Sequence, residues 1–195
     1  TFMDAFLLST AVIFVAELGD KSQLMAMTFA ARYRARDVLI GITAATAIVH
    51  LASVGIGFWI GDAFAAQQQW ISVAAGVAFL GFAAWTLRGD ELSEDEAAKA
   101  RTSQGAAILA VAVAFFLAEL GDKTMLATIT LATREGWFGT WVGSTLGMVA
   151  ADALAIGVGA LLGKKLPDNV IKWGAAGLFA LFGLLLVADG FRSMT

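Results

Sequence analysis

The chain has 195 residues, 59% of them hydrophobic and 15% charged, with 13 Lys and Arg against 16 Asp and Glu and a formal net charge of −3. Soluble domains are about half apolar and a quarter charged, so this balance, with a mean hydropathy of +0.78, excludes an ordinary water-soluble domain and points to an integral membrane protein. The absence of Cys excludes disulfides and thiolate metal sites, and no stretch mixes basic and aromatic residues as a nucleic-acid surface would.

A membrane-spanning helix needs roughly 20 mostly apolar residues. Six stretches reach that length: about 5–31, 37–61, 70–88, 105–133, 137–163 and 170–191. The first lacks the basic start and cleavage site of a signal peptide. Arg32, Arg34 and Arg36 follow it; Arg88, Lys99 and Arg101 follow the third; Lys164, Lys165 and Lys172 lie around the gap after the fifth. The alternate side holds Arg134 and Arg192. Cytoplasmic loops carry the excess of Lys and Arg, so loops one, three and five are expected inside and both termini on the outer, periplasmic side. Trp59, Trp70, Trp85, Trp137, Trp141 and Trp173 fall near predicted span ends, where aromatic belts form. Residues 89–104, with the acidic run Glu94-Asp95-Glu96, read as a solvated cytoplasmic linker between residues 1–88 and 105–195.

The hexapeptide Ala16-Glu17-Leu18-Gly19-Asp20-Lys21 recurs as Ala118-Glu119-Leu120-Gly121-Asp122-Lys123, 102 positions later. At that same offset Phe14 matches Phe116, Thr28 matches Thr130, Gly41 matches Gly143, Gly57 matches Gly159, and His50 falls on Asp152. A three-span unit has been duplicated. Three is odd, so the second copy enters the membrane from the opposite side. The expected fold is all-α, with six transmembrane helices arranged as two inverted three-helix repeats, the plan of many secondary transporters.

Ionisable side chains deep in a bilayer cost at least ~2.5–3.5 kcal/mol each on insertion scales, so their recurrence calls for a function. On a continuous helix Glu17, Asp20 and Lys21 would share one face, as would Glu119, Asp122 and Lys123. Brought together, four carboxylates and two ammonium groups leave a formal charge of −2, which one divalent cation or two protons would neutralise. Glu17, Asp20, Glu119 and Asp122 are therefore the candidate metal ligands. Ser22, Gln23 and Thr124 could supply further hard oxygen. Lys21 and Lys123 could act as counter-charges, and Gly19 and Gly121 could break the helices to free backbone carbonyls. Crowded, desolvated carboxylates also bind protons tightly, so metal and protons would compete for one pocket. His50 and Asp152 are candidates for a proton relay or an outer shell.

These residues resemble the GDT-type divalent cation/proton exchangers of the lysine-exporter superfamily. That signature is Glu, an apolar residue, Gly, Asp, Lys or Arg, then Ser or Thr, once per three-span half. Both Glu17-Leu18-Gly19-Asp20-Lys21-Ser22 and Glu119-Leu120-Gly121-Asp122-Lys123-Thr124 fit it. The resemblance implies export of manganese or calcium for protons through the acidic motif residues. It implies an inner-membrane manganese exporter like the small bacterial members, because no long N-terminal extension precedes the first motif. Such a protein is a transporter and not an enzyme; the metal is its substrate, no cofactor is needed, and lipid is its surroundings. One copy would contain the whole pocket, and an oligomer is compatible with it. Nitrogen from His50 would favour manganese, whereas calcium wants six to eight oxygens. The alternatives are a calcium/proton antiporter, a lysine or small-solute exporter, and, remotely, an intramembrane aspartyl protease whose two Gly-Asp pairs form a dyad.

Overall fold

The computed structural model describes residues 1–88, 94, 107–162 and 168–195. Of the expected linker 89–104 it describes only Glu94, and Lys164, Lys165 and Pro167 also lie outside the described residues. The described residues form helices α1 (Phe2–Glu17), α2 (Lys21–Ala30), α3 (Ala35–Ala63), α4 (Gln68–Arg88), α5 (Ala107–Glu119), α6 (Lys123–Ala132), α7 (Trp137–Leu162) and α8 (Asp168–Arg192), with a 3-10 turn, Ala65–Gln67, before α4. At 1.5 Å per residue the 29 residues of α3 extend about 43 Å, beyond the ~30 Å hydrocarbon core. Among the described residues four helices are long and apolar enough to cross a membrane, and α1 with α2 makes a fifth if that bent pair is one span.

The stretches 5–31 and 105–133 are not continuous helices. Each stops at the motif glutamate and restarts at the motif lysine, with α1 and α2 meeting at 77°. Leu18 is extended (φ −62°, ψ 122°), Gly19 takes φ +74° and Asp20 is extended again. Gly121 takes φ +76° between Glu119 and Asp122. A side chain at such φ values crowds the backbone, so glycine is what makes this sharp restart cheap. The shared helix face expected for Glu17, Asp20 and Lys21 is therefore lost: the break re-aims each side chain separately.

Packing follows a pattern. α4 lies along α8, α1 along α7, and α3 contacts α5, α6 and α7, while α2 contacts α7. The small-residue seams make these approaches close. A Cβ on Gly76 would come within 2.5 Å of the Gly183 carbonyl oxygen, and one on Gly143 within 2.5 Å of that of Phe6. Phe79, Phe82, Phe179 and Phe182 interlock between α4 and α8. Trp141, one turn into α7, sends its indole N–H inward to the Ala47 carbonyl at 2.9 Å. Trp59, Trp70, Trp137 and Trp173 sit exposed near helix ends, as an aromatic belt requires.

Burial is inverted relative to a soluble protein. Leu161, Val170, Leu181, Leu184 and Leu185 face outward. Glu17, Asp20, Glu119, Asp152, His50 and Thr124 are fully enclosed. With no water in lipid to solvate them, polar groups must meet one another inside. This is a multi-pass membrane protein.

Candidate cation site

The two helix breaks create the site. Asp20 and Asp122 occupy the N-cap positions of α2 and α6, where an aspartate ordinarily accepts from the helix's own free N–H groups. Neither makes that side-chain bond. Asp20 instead reaches into the other half of the chain, where Lys123 Nζ lies 3.2 Å from its Oδ1. Both partners are enclosed, so this is a buried ion pair and not a surface contact.

Glu17, at the last position of α1, is held from both halves. Ser22 Oγ donates to its Oε2 and Thr124 Oγ1 donates to its Oε1. Glu119 ends α5 in the same way, yet neither of its oxygens has a hydrogen-bond partner among the described residues. Glu17, Glu119 and Asp122 each place a carboxylate oxygen within 4.8 Å of the others. At that separation two unit charges repel by about 3–4 kcal/mol with an effective dielectric near 20. Positive charge among the three carboxylates, from a cation or from protons, would relieve that repulsion. The N-termini of α2 and α6, which follow the acidic turns directly, add positive partial charge.

Asp152, in α7, joins the cluster through Ser22, whose Oγ lies 3.3 Å from Asp152 Oδ1. One hydroxyl proton cannot serve Glu17 and Asp152 at once, so this contact needs either a proton on Asp152 or a turn of the hydroxyl. His50 makes no hydrogen bond to a carboxylate among the described residues. Its Nδ1 is 2.9 Å from Ser144 Oγ, which is 3.2 Å from the Trp141 carbonyl oxygen, while its Nε2 has no partner among the described residues. If Ser144 donates to that carbonyl, the imidazole proton sits on Nδ1 and Nε2 is a bare, buried acceptor. Gln23, considered above as an oxygen donor, has both ends of its amide in use: Oε1 accepts from the Gly19 N–H at 2.7 Å and Nε2 donates to the Ala151 carbonyl at 2.6 Å. Lys21 opens α2 at a half-buried position.

The structure thus brings Glu17, Glu119 and Asp122 into one group, sets Asp20 against Lys123, and places Ser22 and Thr124 on Glu17. A two-aspartate protease dyad is a different arrangement: here one motif aspartate is ion-paired and the other belongs to a three-carboxylate group. Ser144 and the Ala151 carbonyl were missed in the sequence. Thr46 and Met148, which touch at 3.3 Å, were also missed, although the 102-residue offset that relates them was in hand.

The family described as divalent cation/proton antiporter GDT1 matches residues 5–94 and 107–194. A Vibrio cholerae serotype O1 protein named "Putative manganese exporter" is 35% identical over 189 residues, which cover 93% of this chain and 90% of that one. "Protein PAM71, chloroplastic" of Arabidopsis thaliana is 33% identical over 213 residues, covering 96% of this chain and 56% of its own. "GDT1-like protein 2, chloroplastic" of Oryza sativa subsp. japonica is 31% identical over 206 residues, covering 92% and 59% respectively. The chain therefore spans little more than half of these two plant relatives and most of the bacterial one. No solved structure matches it. With a buried carboxylate site inside an apolar helical body and family matches along nearly its whole length, this chain belongs to the GDT1 family of divalent cation/proton antiporters, a membrane transporter and not an enzyme.

Proposed function

We propose that the chain exports Mn²⁺ from the cytoplasm across the bacterial inner membrane in exchange for protons, using the pocket between the two acidic turns. The observation that carries this is the grouping of Glu17 with Glu119 and Asp122, drawn from both halves of the chain and sealed from the surroundings. Oxygen ligands of this kind suit Mn²⁺, Mg²⁺ or Ca²⁺. A metal ion needs the carboxylates deprotonated; protons returning to them release it. Exclusive occupancy of one pocket by metal or protons couples the two flows in opposite directions. Asp152 and Ser22 extend from Glu17 as a route for the proton, and Lys123 holds Asp20 as the counter-charge.

Two inverted three-helix repeats, with six crossings and both termini outside, are the architecture of this reading. It is supported by the family matching twice, by helix bounds that recur 102 positions apart (Lys21–Ala30 and Lys123–Ala132), and by reciprocal packing, α1 on α7 as α5 on α3. Thr46 and Met148, equivalent positions that touch, lie where a two-fold axis would pass. Exposed Arg32, Arg34 and Arg36 at the α2–α3 turn support a cytoplasmic first loop.

Ca²⁺ is the second reading, favoured by the all-oxygen character of the three-carboxylate group. The preference for Mn²⁺ rests on the name of the Vibrio relative. Proteoliposomes carrying a trapped pH indicator test the function. An imposed Mn²⁺ gradient drives opposing proton movement in the wild type, Ca²⁺ less effectively, and Glu119→Gln abolishes it. Equal movement in the wild type and Glu119→Gln would remove this site from the mechanism.

A further inference from the structure

The two halves of the site are built from equivalent positions but are not equally secured. In the first half, Gln23 bridges two elements: it accepts from the Gly19 N–H inside the Leu18–Asp20 turn and donates to the Ala151 carbonyl of α7, next to Asp152. In the second half the same position is Met125. Its sulfur accepts from the Gly121 N–H at 3.2 Å, but a thioether has nothing to donate and reaches no carbonyl on α3.

The carbonyl positions differ to match. Ala151 corresponds to Val49, whose oxygen already accepts from Ser53 Oγ at 2.7 Å. The equivalent of Ser53 is Ala155, which leaves the Ala151 carbonyl to Gln23. Three further differences point the same way. A Cβ on Gly19 would rest 3.5 Å from Ile171 of α8, whereas one on Gly121 would meet nothing within 4 Å among the described residues. Leu18 is half-buried and Leu120 is 49% exposed. Glu17 accepts two hydroxyl hydrogen bonds, and Glu119 has none among the described residues.

We propose that Gln23 is a positioning residue that holds the Leu18–Asp20 turn against α7 as the fixed wall of the cation pocket, and that the Leu120–Asp122 turn, which Met125 cannot tie to α3, is the wall that moves as the cation enters and leaves. This rests on the exchange reading above. It adds that the duplicated halves have divided the work, one presenting a set of ligands already in place and the other closing on the ion.

Because the chain has no Cys, Leu18→Cys and Leu120→Cys report each turn separately. In proteoliposomes, Mn²⁺ changes the maleimide labelling rate of Leu120→Cys several-fold and leaves Leu18→Cys unchanged. A comparable change at both, or a change at Leu18→Cys alone, would overturn the assignment. Transport kinetics give an independent arm. Gln23→Met, which keeps a sulfur acceptor for the Gly19 N–H but loses the hydrogen bond to the Ala151 carbonyl, raises the KM for Mn²⁺ by about tenfold with turnover retained. Ala155→Ser, which brings a competing hydroxyl to the Ala151 carbonyl, moves KM in the same direction with Gln23 still present. Met125→Gln with Ser53→Ala installs the missing strut and lowers turnover while KM holds. Loss of turnover without a KM change in Gln23→Met, or an unaltered rate in the Met125→Gln, Ser53→Ala protein, would refute the division into fixed and moving walls. Absence of Mn²⁺-driven proton movement in the well-folded wild type would overturn the exchange reading and this inference with it.

Discussion

The Asp20–Lys123 pair gives the most quantitative test of the site. At 3.2 Å two unit charges attract by about 5 kcal/mol with an effective dielectric near 20. Deleting either partner loses that attraction and strands the other charge in an enclosed place, at a total cost of about 3–5 kcal/mol. Lys123→Met and Asp20→Asn are close in size to the residues they replace, so packing changes little. Removing both charges together leaves no stranded ion, and the double variant is expected to be more stable than the sum of the single losses predicts by about 3 kcal/mol. Reversible unfolding in mixed detergent micelles, run on wild type, both single variants and the double variant, measures the cycle. Additivity within about 0.5 kcal/mol would show that the two groups do not interact, and the cross-half geometry of the site would fall with it.

Competition between metal and protons fixes a sign for pH. Acidifying the side from which Mn²⁺ binds raises its KM, by up to about tenfold per pH unit for each proton displaced; a KM that is flat or falls with acid contradicts a shared pocket. Thr124→Val removes the hydroxyl that the second half donates to Glu17. A hydrogen bond to a charged group contributes about 1.5–3 kcal/mol, so the KM for Mn²⁺ rises by about tenfold or more while Thr124→Ser stays near wild type; equal kinetics for Val and Ser would exclude that bond from cation binding. Gly19→Ala costs about 1–2 kcal/mol in micelle unfolding, because φ +74° disfavours any L side chain. The new methyl meets Ile171 only at ordinary contact distance, so the loss comes from the backbone, and Gly19→Asn loses less.

Much of this arrangement was legible in the order of residues. The doubled Glu-Leu-Gly-Asp-Lys pattern located the charges, and the constant offset paired Ser22 with Thr124 and His50 with Asp152. Hydropathy could not see the helix breaks. Leu18 and Leu120 are as apolar as their neighbours, and a lone glycine in a membrane helix is as often a packing residue as a turn. Gly19 and Gly121 stood out as possible breaks, but the spacing of Glu17, Asp20 and Lys21 read on a continuous helix still suggested one shared face, whereas a 77° bend separates them. The choice of ion partner was equally hidden, since Lys21 stands next to Asp20 in sequence while Lys123 meets it in space. The strut from Gln23 depends on a carbonyl in α7, and no side-chain pattern announces that a carbonyl is free to accept.

Because Asp20 pairs with Lys123 and Glu17 accepts from Thr124, both in the second half of the chain, these contacts impose an order on biogenesis. A nascent chain that has inserted only its first helices carries these carboxylates into the membrane without the lysine and threonine that later enclose them. That stage must be short-lived, shielded by the insertion machinery, or left near the headgroups until translation delivers α5 and α6. A chain terminated between the halves would be a substrate for membrane quality control, with no half-active transporter left behind.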